Sequence, residues 1–217
     1  MQLINVDEVC PTEFYIFISQ SNLITKHNLE VSGSLSSGAF CSFLDPEFKE
    51  KYISGKAKYL PYIIDSSMDM RCINPFCLST INNYRVEFDA EKFREINLPT
   101  YPSRLSAIFA FGDIDSCYQV MEKYKEDNWD INTIKKFKLV GNQLNRVAKV
   151  NMEHVSLARS AYKNGMMSEG EKNKLWNGYW SSVGNISMEL PNSITTREVI
   201  ETGIIWEYLI DGTVELI

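Results

Sequence analysis

The stretch from Leu98 to Lys123, LPTYPSRLSAIFAFGDIDSCYQVMEK, limits what this chain can fold into more than any other. Pro99 and Pro102 bracket a short turn. Ser103 and Arg104 then enter the most apolar run of the molecule: Leu105, Ala107, Ile108, Phe109, Ala110 and Phe111. The run is too short to span a membrane and is bounded by Pro and Gly112-Asp113, so it predicts a central strand buried on both faces. Asp113 or Asp115 can then cap a helix that carries Cys117, Val120, Met121 and Tyr124 on one face. A polar Ser-Arg pair at the mouth of such a strand lies at the edge of the core, a natural place for a site.

Upstream, Glu13 to Ser19 (EFYIFIS) has the aromatic and β-branched content of a strand. The polar QSNLITKHNLEVSGSLSSG that follows predicts a loop with at most one short strand, either a solvated connection or a cradle of backbone N–H groups. Asp45-Pro46 opens a charged helix reaching Lys58. Tyr59 to Asn83 has no regular period and predicts a packed loop or short elements. Tyr84 to Phe88 alternates like a strand, and Asp89 to Ile96 follows as a capped helix.

Downstream, Ile134 to Val140 and Asn145 to Met152 alternate on either side of Gly141-Asn142, which predicts a hairpin. Met152 to Tyr162 has helical periodicity closed by Asn164-Gly165. Ser168-Glu169-Gly170-Glu171 fits a capping box and opens a helix through Leu175, Trp176, Tyr179 and Trp180. Asn185 to Leu190 predicts a short strand, and Glu198 to Leu209 a longer one interrupted at Thr202-Gly203. Asp211-Gly212 supplies a two-residue turn into Thr213 to Ile217. The sum is a single α+β domain over residues 1–217, with helices packed on split mixed or antiparallel sheets.

Composition narrows the function classes. At 44% hydrophobic and 12% aromatic residues the chain can build a real core, which excludes global disorder. A net charge of −6 speaks against non-specific nucleic-acid binding; the one basic tract is Lys135, Lys136, Lys138, Arg146 and Lys149 on the expected hairpin. No stretch approaches a membrane-spanning length, and MQLINVDEV lacks the basic-then-apolar pattern of a secretory signal, so a cytoplasmic protein is expected. Five cysteines, an odd number with irregular spacing, predict reduced thiols. Cys72 and Cys77 miss the C-x-x-C spacing, and only His27 and His154 could add imidazole, so no metal is expected.

No P-loop, G-x-G-x-x-G, H-E-x-x-H or G-x-S-x-G is present, and neither His lies in a recognisable nucleophile motif. Three features remain. One is the polar end of EFYIFISQ at Ser19 and Gln20. Another is Ser103-Arg104. The third is the pair LWNGYWSS and NISMEL, which sets aromatic rings and Glu189 close in sequence. Each also has a structural reading. Trp176, Tyr179 and Trp180 have ordinary core spacing, Glu189 could be an exposed strand carboxylate, and Arg104 a salt-bridge partner.

Taken in this order, the features resemble a bacterial and phage family of the ADP-ribosyltransferase-like superfamily. The segment EKFREINLPTYPSRLSAIFAF carries the resemblance through Glu91, Arg94, Pro102, Ser103 and Arg104, followed by Tyr179, Trp180, Glu189 and Leu190. It implies a split β-sheet fold that binds NAD in a cleft and transfers ADP-ribose to a protein or nucleic-acid acceptor; no membrane partner is expected, since no stretch is long enough to span one. Enzymes of the superfamily place a His or Arg on the first strand, a hydroxyl on a middle strand and a Glu on a late strand. Carried onto this chain, Glu189 is the catalytic carboxylate and Ser103 the middle-strand hydroxyl. Arg104 then holds a phosphate or fixes the strand mouth, Tyr179 and Trp180 line the nicotinamide or acceptor side, and Ser19 is the first-strand hydroxyl. Phe17 stands where His is usual, and the E-x-E pair of Arg-directed transferases is missing. The alternative is a diverged copy that binds a protein partner in phage–host conflict through exposed Trp176, Trp180 or Trp206.

Overall fold

Phe14 and Ile16 are buried and alternate with the more exposed Glu13, Tyr15 and Phe17, the period of two of a strand with one face in the core. The structure is a computed structural model that describes residues 2–4, 10–18, 22–59, 75–125, 129–163, 167–191 and 196–217. The chain is α+β and divides into two compact units. One comprises Met1–Ala57, Thr100–Val150 and Ile205–Ile217, the other Lys58–Pro99 and Asn151–Ile204. Among the described residues no helix is long and apolar enough to cross a membrane.

The first unit holds two four-stranded sheets. In one, the order is β1 (Gln2–Ile4), β6 (Arg146–Asn151), β9 (Trp206–Asp211) and β4 (Ile108–Ala110). β1 runs parallel to β6, and β4 antiparallel to β9. In the other, β2 (Glu13–Phe17), β5 (Ile134–Leu139), β10 (Thr213–Leu216) and β3 (Ser34–Ser36) form an antiparallel array. Both sheets feed one core: Phe14, Ile16, Phe137 and Val214 from the second meet Ala110, Val147, Tyr208 and Ile210 from the first. Each fully buried Val, Ile or Phe among them contributes on the order of 1.5–3 kcal/mol. A bridge ties the sheets where Tyr15 and Phe111 exchange backbone hydrogen bonds of 2.7 and 2.8 Å. At Gly112 the chain passes so close to the Tyr208 ring that a Cβ would stand 2.8 Å from it, so only glycine fits.

Local signals hold well. Asp45 caps α3 (Pro46–Ile53), with Pro46 at the first turn. Asp113 caps α5 (Ile114–Lys123) by accepting from Ser116 N at 2.6 Å. Other expectations are overturned. The loop predicted after β2 contains α1 (Leu23–Ser32), capped by Asn22 and ended by Gly33 in the left-handed region. It buries no residue, so the apolar periodicity that reveals a helix is absent. The next turns hold α2 (Gly38–Cys41). The central strand is short and lies at a sheet edge, with Leu105 and Phe109 39% and 37% exposed. The front of the apolar run is spent on a turn, since Ser106 N and Ala107 N both donate to Ser103 O.

Neither predicted hairpin forms. β5 pairs with β2 and β10, whereas β6 lies beside β1 and β9 in the other sheet. Likewise Gly212 carries the chain from β9 into β10 across sheets.

In the second unit, Tyr84 to Phe88 is not a strand but the middle of α4 (Pro75–Asn97), whose Val86, Ala90 and Arg94 are buried at a four-residue spacing. α6 (Met152–Lys163) and α7 (Glu169–Trp180) follow as predicted, with the capping box of Ser168 and Glu171 formed. β7 (Ser187–Pro191) and β8 (Arg197–Glu201) pair antiparallel as a ribbon.

Candidate active site

Period-two geometry divides β9 between two faces. Tyr208 and Ile210 enter the core, which sends Glu207, Leu209 and Asp211 to the other face of the sheet. Two acidic residues on one face of a strand that is buried from Glu207 to Asp211 need partners, because an unpaired buried charge is costly. The turn that Ser103 begins supplies them. Arg104, with 6% of its side chain exposed, lies 3.8 Å from Glu207 and places its guanidinium 5.0 Å from the Phe109 ring centroid. Ser106 Oγ donates to Asp211 Oδ1 at 3.2 Å.

The turn itself is held from three sides. Ser103 Oγ accepts from Leu105 N at 3.1 Å, and Ser103 O accepts from Ser106 N and Ala107 N. Ser106 O accepts from Gly38 N at 2.7 Å. Ser37 Oγ accepts from Gly212 N at 3.2 Å, while Ser37 N donates to Gly212 O at 2.9 Å. Thus the Pro-Ser-Arg entry and the late strand meet on one sheet face as a hydroxyl, guanidinium and carboxylate cluster. Such a cluster can hold an oxyanion, or set a carboxylate against a developing positive charge. On β2, in the other sheet, Phe17 packs edge-on against Phe111 and Trp129, with centroids 5.9 and 4.7 Å away.

Of the residues singled out from sequence, Arg104 belongs to this cluster and Ser103 begins the turn that carries it. Ser19 lies outside the described residues. Glu189, Tyr179 and Trp180 belong to the second unit. Glu189 is an exposed residue of β7 whose carboxylate is 3.6 Å from Arg197 Nε. Tyr179 and Trp180 are wholly buried, their rings 4.9 Å apart, and Trp180 Nε1 donates to Ala90 O at 3.1 Å. They serve as core, the structural reading of their spacing. Trp176 is also buried, and Trp206 is partly buried with Lys149 Nζ 4.5 Å from its ring, so these tryptophans do not form the exposed patch of a binding module. Nor do the basic residues form one stripe, since β5 and β6 separate, Arg146 is buried and Lys136 pairs with Glu13 at 2.6 Å. Glu91 and Arg94 form a buried bidentate pair within α4, at 2.6 and 3.0 Å.

The residue that sequence reasoning missed is Glu207. A carboxylate in the apolar run IIWEYLI is the signal that sequence offers, and the structure buries it.

The second unit offers a groove of about 440 Å³ lined by Asp89, Lys92, Phe93, Lys172, Asn173 and Trp176. Within it Asp89 accepts from Tyr162 Oη at 2.7 Å and lies 3.4 Å from Lys172. Burial, reinforced by the Asp89 carboxylate, pushes the Tyr162 hydroxyl far above its usual titration range. No protein-family model matches the chain, and comparison with curated proteins finds no match.

Proposed function

We propose that this protein is an ADP-ribosyltransferase-like enzyme that transfers ADP-ribose from NAD to a macromolecular acceptor, with Glu207 rather than Glu189 as its carboxylate. The observation that carries this reading is the buried Arg104–Glu207 pair beside the Ser103 turn. The resemblance implies a hydroxyl on a middle strand and a carboxylate on a late strand; Ser103, in the turn that leads into the edge strand β4, and Glu207, on β9, are the candidates within one unit. Tyr179 and Trp180 have no ligand-facing role in the proposal.

NAD supplies the scissile nicotinamide–ribose bond. Glu207 sets negative charge against the positive charge that develops on the ribose, and takes the proton that the acceptor nucleophile loses. Arg104 orients that carboxylate, and its planar fork also suits a pyrophosphate oxygen pair. Phe17 offers an apolar face and no hydrogen bond to a ribose hydroxyl.

The test is nicotinamide release and label transfer from labelled NAD into a cell lysate. Wild type and Glu189→Ala are expected to be active. Glu207→Gln should lose at least about 100-fold in rate, as loss of a general base does, with an unchanged circular-dichroism spectrum. A folded wild type that neither turns over NAD nor binds it in calorimetry overturns the proposal. Activity kept in Glu207→Gln and lost in Glu189→Ala returns the role to Glu189.

A further inference from the structure

Arg146, the first residue of β6, is 8% exposed. Its guanidinium carbon lies 3.7 Å from the Tyr52 ring centroid, and Nη2 donates to Tyr52 O at 2.6 Å. Tyr52 is pinned in turn, since its hydroxyl donates to Leu144 O at 3.1 Å. A guanidinium has five N–H donors, and stacking plus one carbonyl satisfies few of them. Among the described residues no carboxylate pairs with Arg146. That is notable in a chain of net charge −6, because a buried cation without a counter-charge costs several kcal/mol. The group is not sealed in: it borders a cleft of about 120 Å³ whose walls are Tyr52, Ile53, Gln143, Leu144, Asn145 and Arg146. Among the described residues that line this space there is one cation and no acid. The exposed Gln143 amide stands on its rim as a further donor.

We infer that this cleft is an anion subsite, built around Arg146, for one small oxyanion of the phosphate class. The planar fork, already immobilised on Tyr52, suits two oxygens of such a group without further ordering cost. The volume admits a single phosphate group and excludes a nucleotide, so the ligand is orthophosphate or the phosphate end of a larger molecule reaching in from solvent. The subsite is independent of the Glu207 reading, since its binding is read without NAD.

The experiment is thermal denaturation of the full chain with inorganic phosphate against sodium chloride at matched ionic strength. Phosphate should raise Tm saturably, by about 3 °C at ten times its half-saturating concentration. Arg146→Met keeps the aliphatic stem and should abolish the shift. Should that variant fail to fold by circular dichroism, Gln143→Glu decides, because a carboxylate on the rim supplies the missing counter-charge. It should raise the Tm without phosphate and remove the response to it. A phosphate response equal to that of chloride in wild type, or one undiminished in a folded Arg146→Met or in Gln143→Glu, overturns the inference. Acetate at the same concentration separates the two oxyanion shapes: a weaker shift than with phosphate supports the phosphate class, and an equal or larger one overturns it.

Discussion

His154 is wholly buried in α6, with neither ring nitrogen hydrogen-bonded among the described residues, and a Cβ on Gly178 would stand 3.5 Å from its Cε1. Burial pulls its pKa from 6.5 down to about 4, despite weaker opposing effects from the Gly184 backbone and Glu153. Between these two values the unfolded chain binds a proton that the folded chain does not. Stability from this residue is therefore complete above about pH 6.5 and is lost as pH falls towards 4, a change of about 3 kcal/mol. Urea midpoints measured from pH 7 to 4 should fall accordingly, and His154→Leu should flatten that slope. The Glu91–Arg94 pair makes the complementary case. Arg94 also donates to Pro99 O at 3.1 Å, so Arg94→Leu leaves a carboxylate buried without its bidentate partner. It should cost about 3–5 kcal/mol in urea denaturation. A loss under 1 kcal/mol would show that the resemblance-derived position is not a structural anchor. At this scale sequence reasoning singled out Ser103, Arg104, Glu91 and Arg94, which the fold buries, and Glu189, which it leaves exposed on β7. Glu189 lay close in sequence to conspicuous aromatics, and proximity along the chain carries no information about burial.

Elements whose ends are set by neighbouring residues behaved as their residues dictate. In α7, Glu171 N donates to Ser168 Oγ at 3.3 Å and Ser168 N donates to Glu171 Oε2 at 2.6 Å. These Ser168 hydrogen bonds, with the Arg197 guanidinium beside it, hold Glu171 below the ordinary carboxylate range. Since Glu171 also pairs with Arg197 on β8, it joins the helix start to the ribbon. Ser168→Ala should cost about 1 kcal/mol by chemical denaturation, and Glu171→Ala more, because it removes both the cap and the cross-element pair. Equal costs would mean that the exposed Arg197 pair adds nothing. Strand pairing was far less legible. Gly141-Asn142 and Asp211-Gly212 carry hairpin chemistry, yet each joins strands of different sheets. At Gly212 the tertiary constraint is steric: a Cβ would approach Asn145 Oδ1 to 3.0 Å and Leu139 Cδ1 to 3.2 Å.

Across the whole molecule, both units are built from separated segments, and β10 shows the consequence. It sits between β5 and β3 although it comes last in the sequence, pairing Val214 with Leu139 on one side and Leu35 on the other. Val214 is wholly buried. Val214→Ala should cost about 2 kcal/mol, and Val214→Asp should prevent the first unit from forming, seen as loss of amide protection in β2 and β5. Retained protection there would mean that the sheet closes without β10. What the sequence determined by itself was the local chemistry: capped helices, the strand periods and the α+β class, all of which depend on residues a few positions apart. Which strands share a sheet, and that Arg104 meets a carboxylate at Glu207, was decided only in three dimensions. Burying alternate faces and pairing a desolvated charge are long-range conditions, satisfied between segments about 100 residues apart.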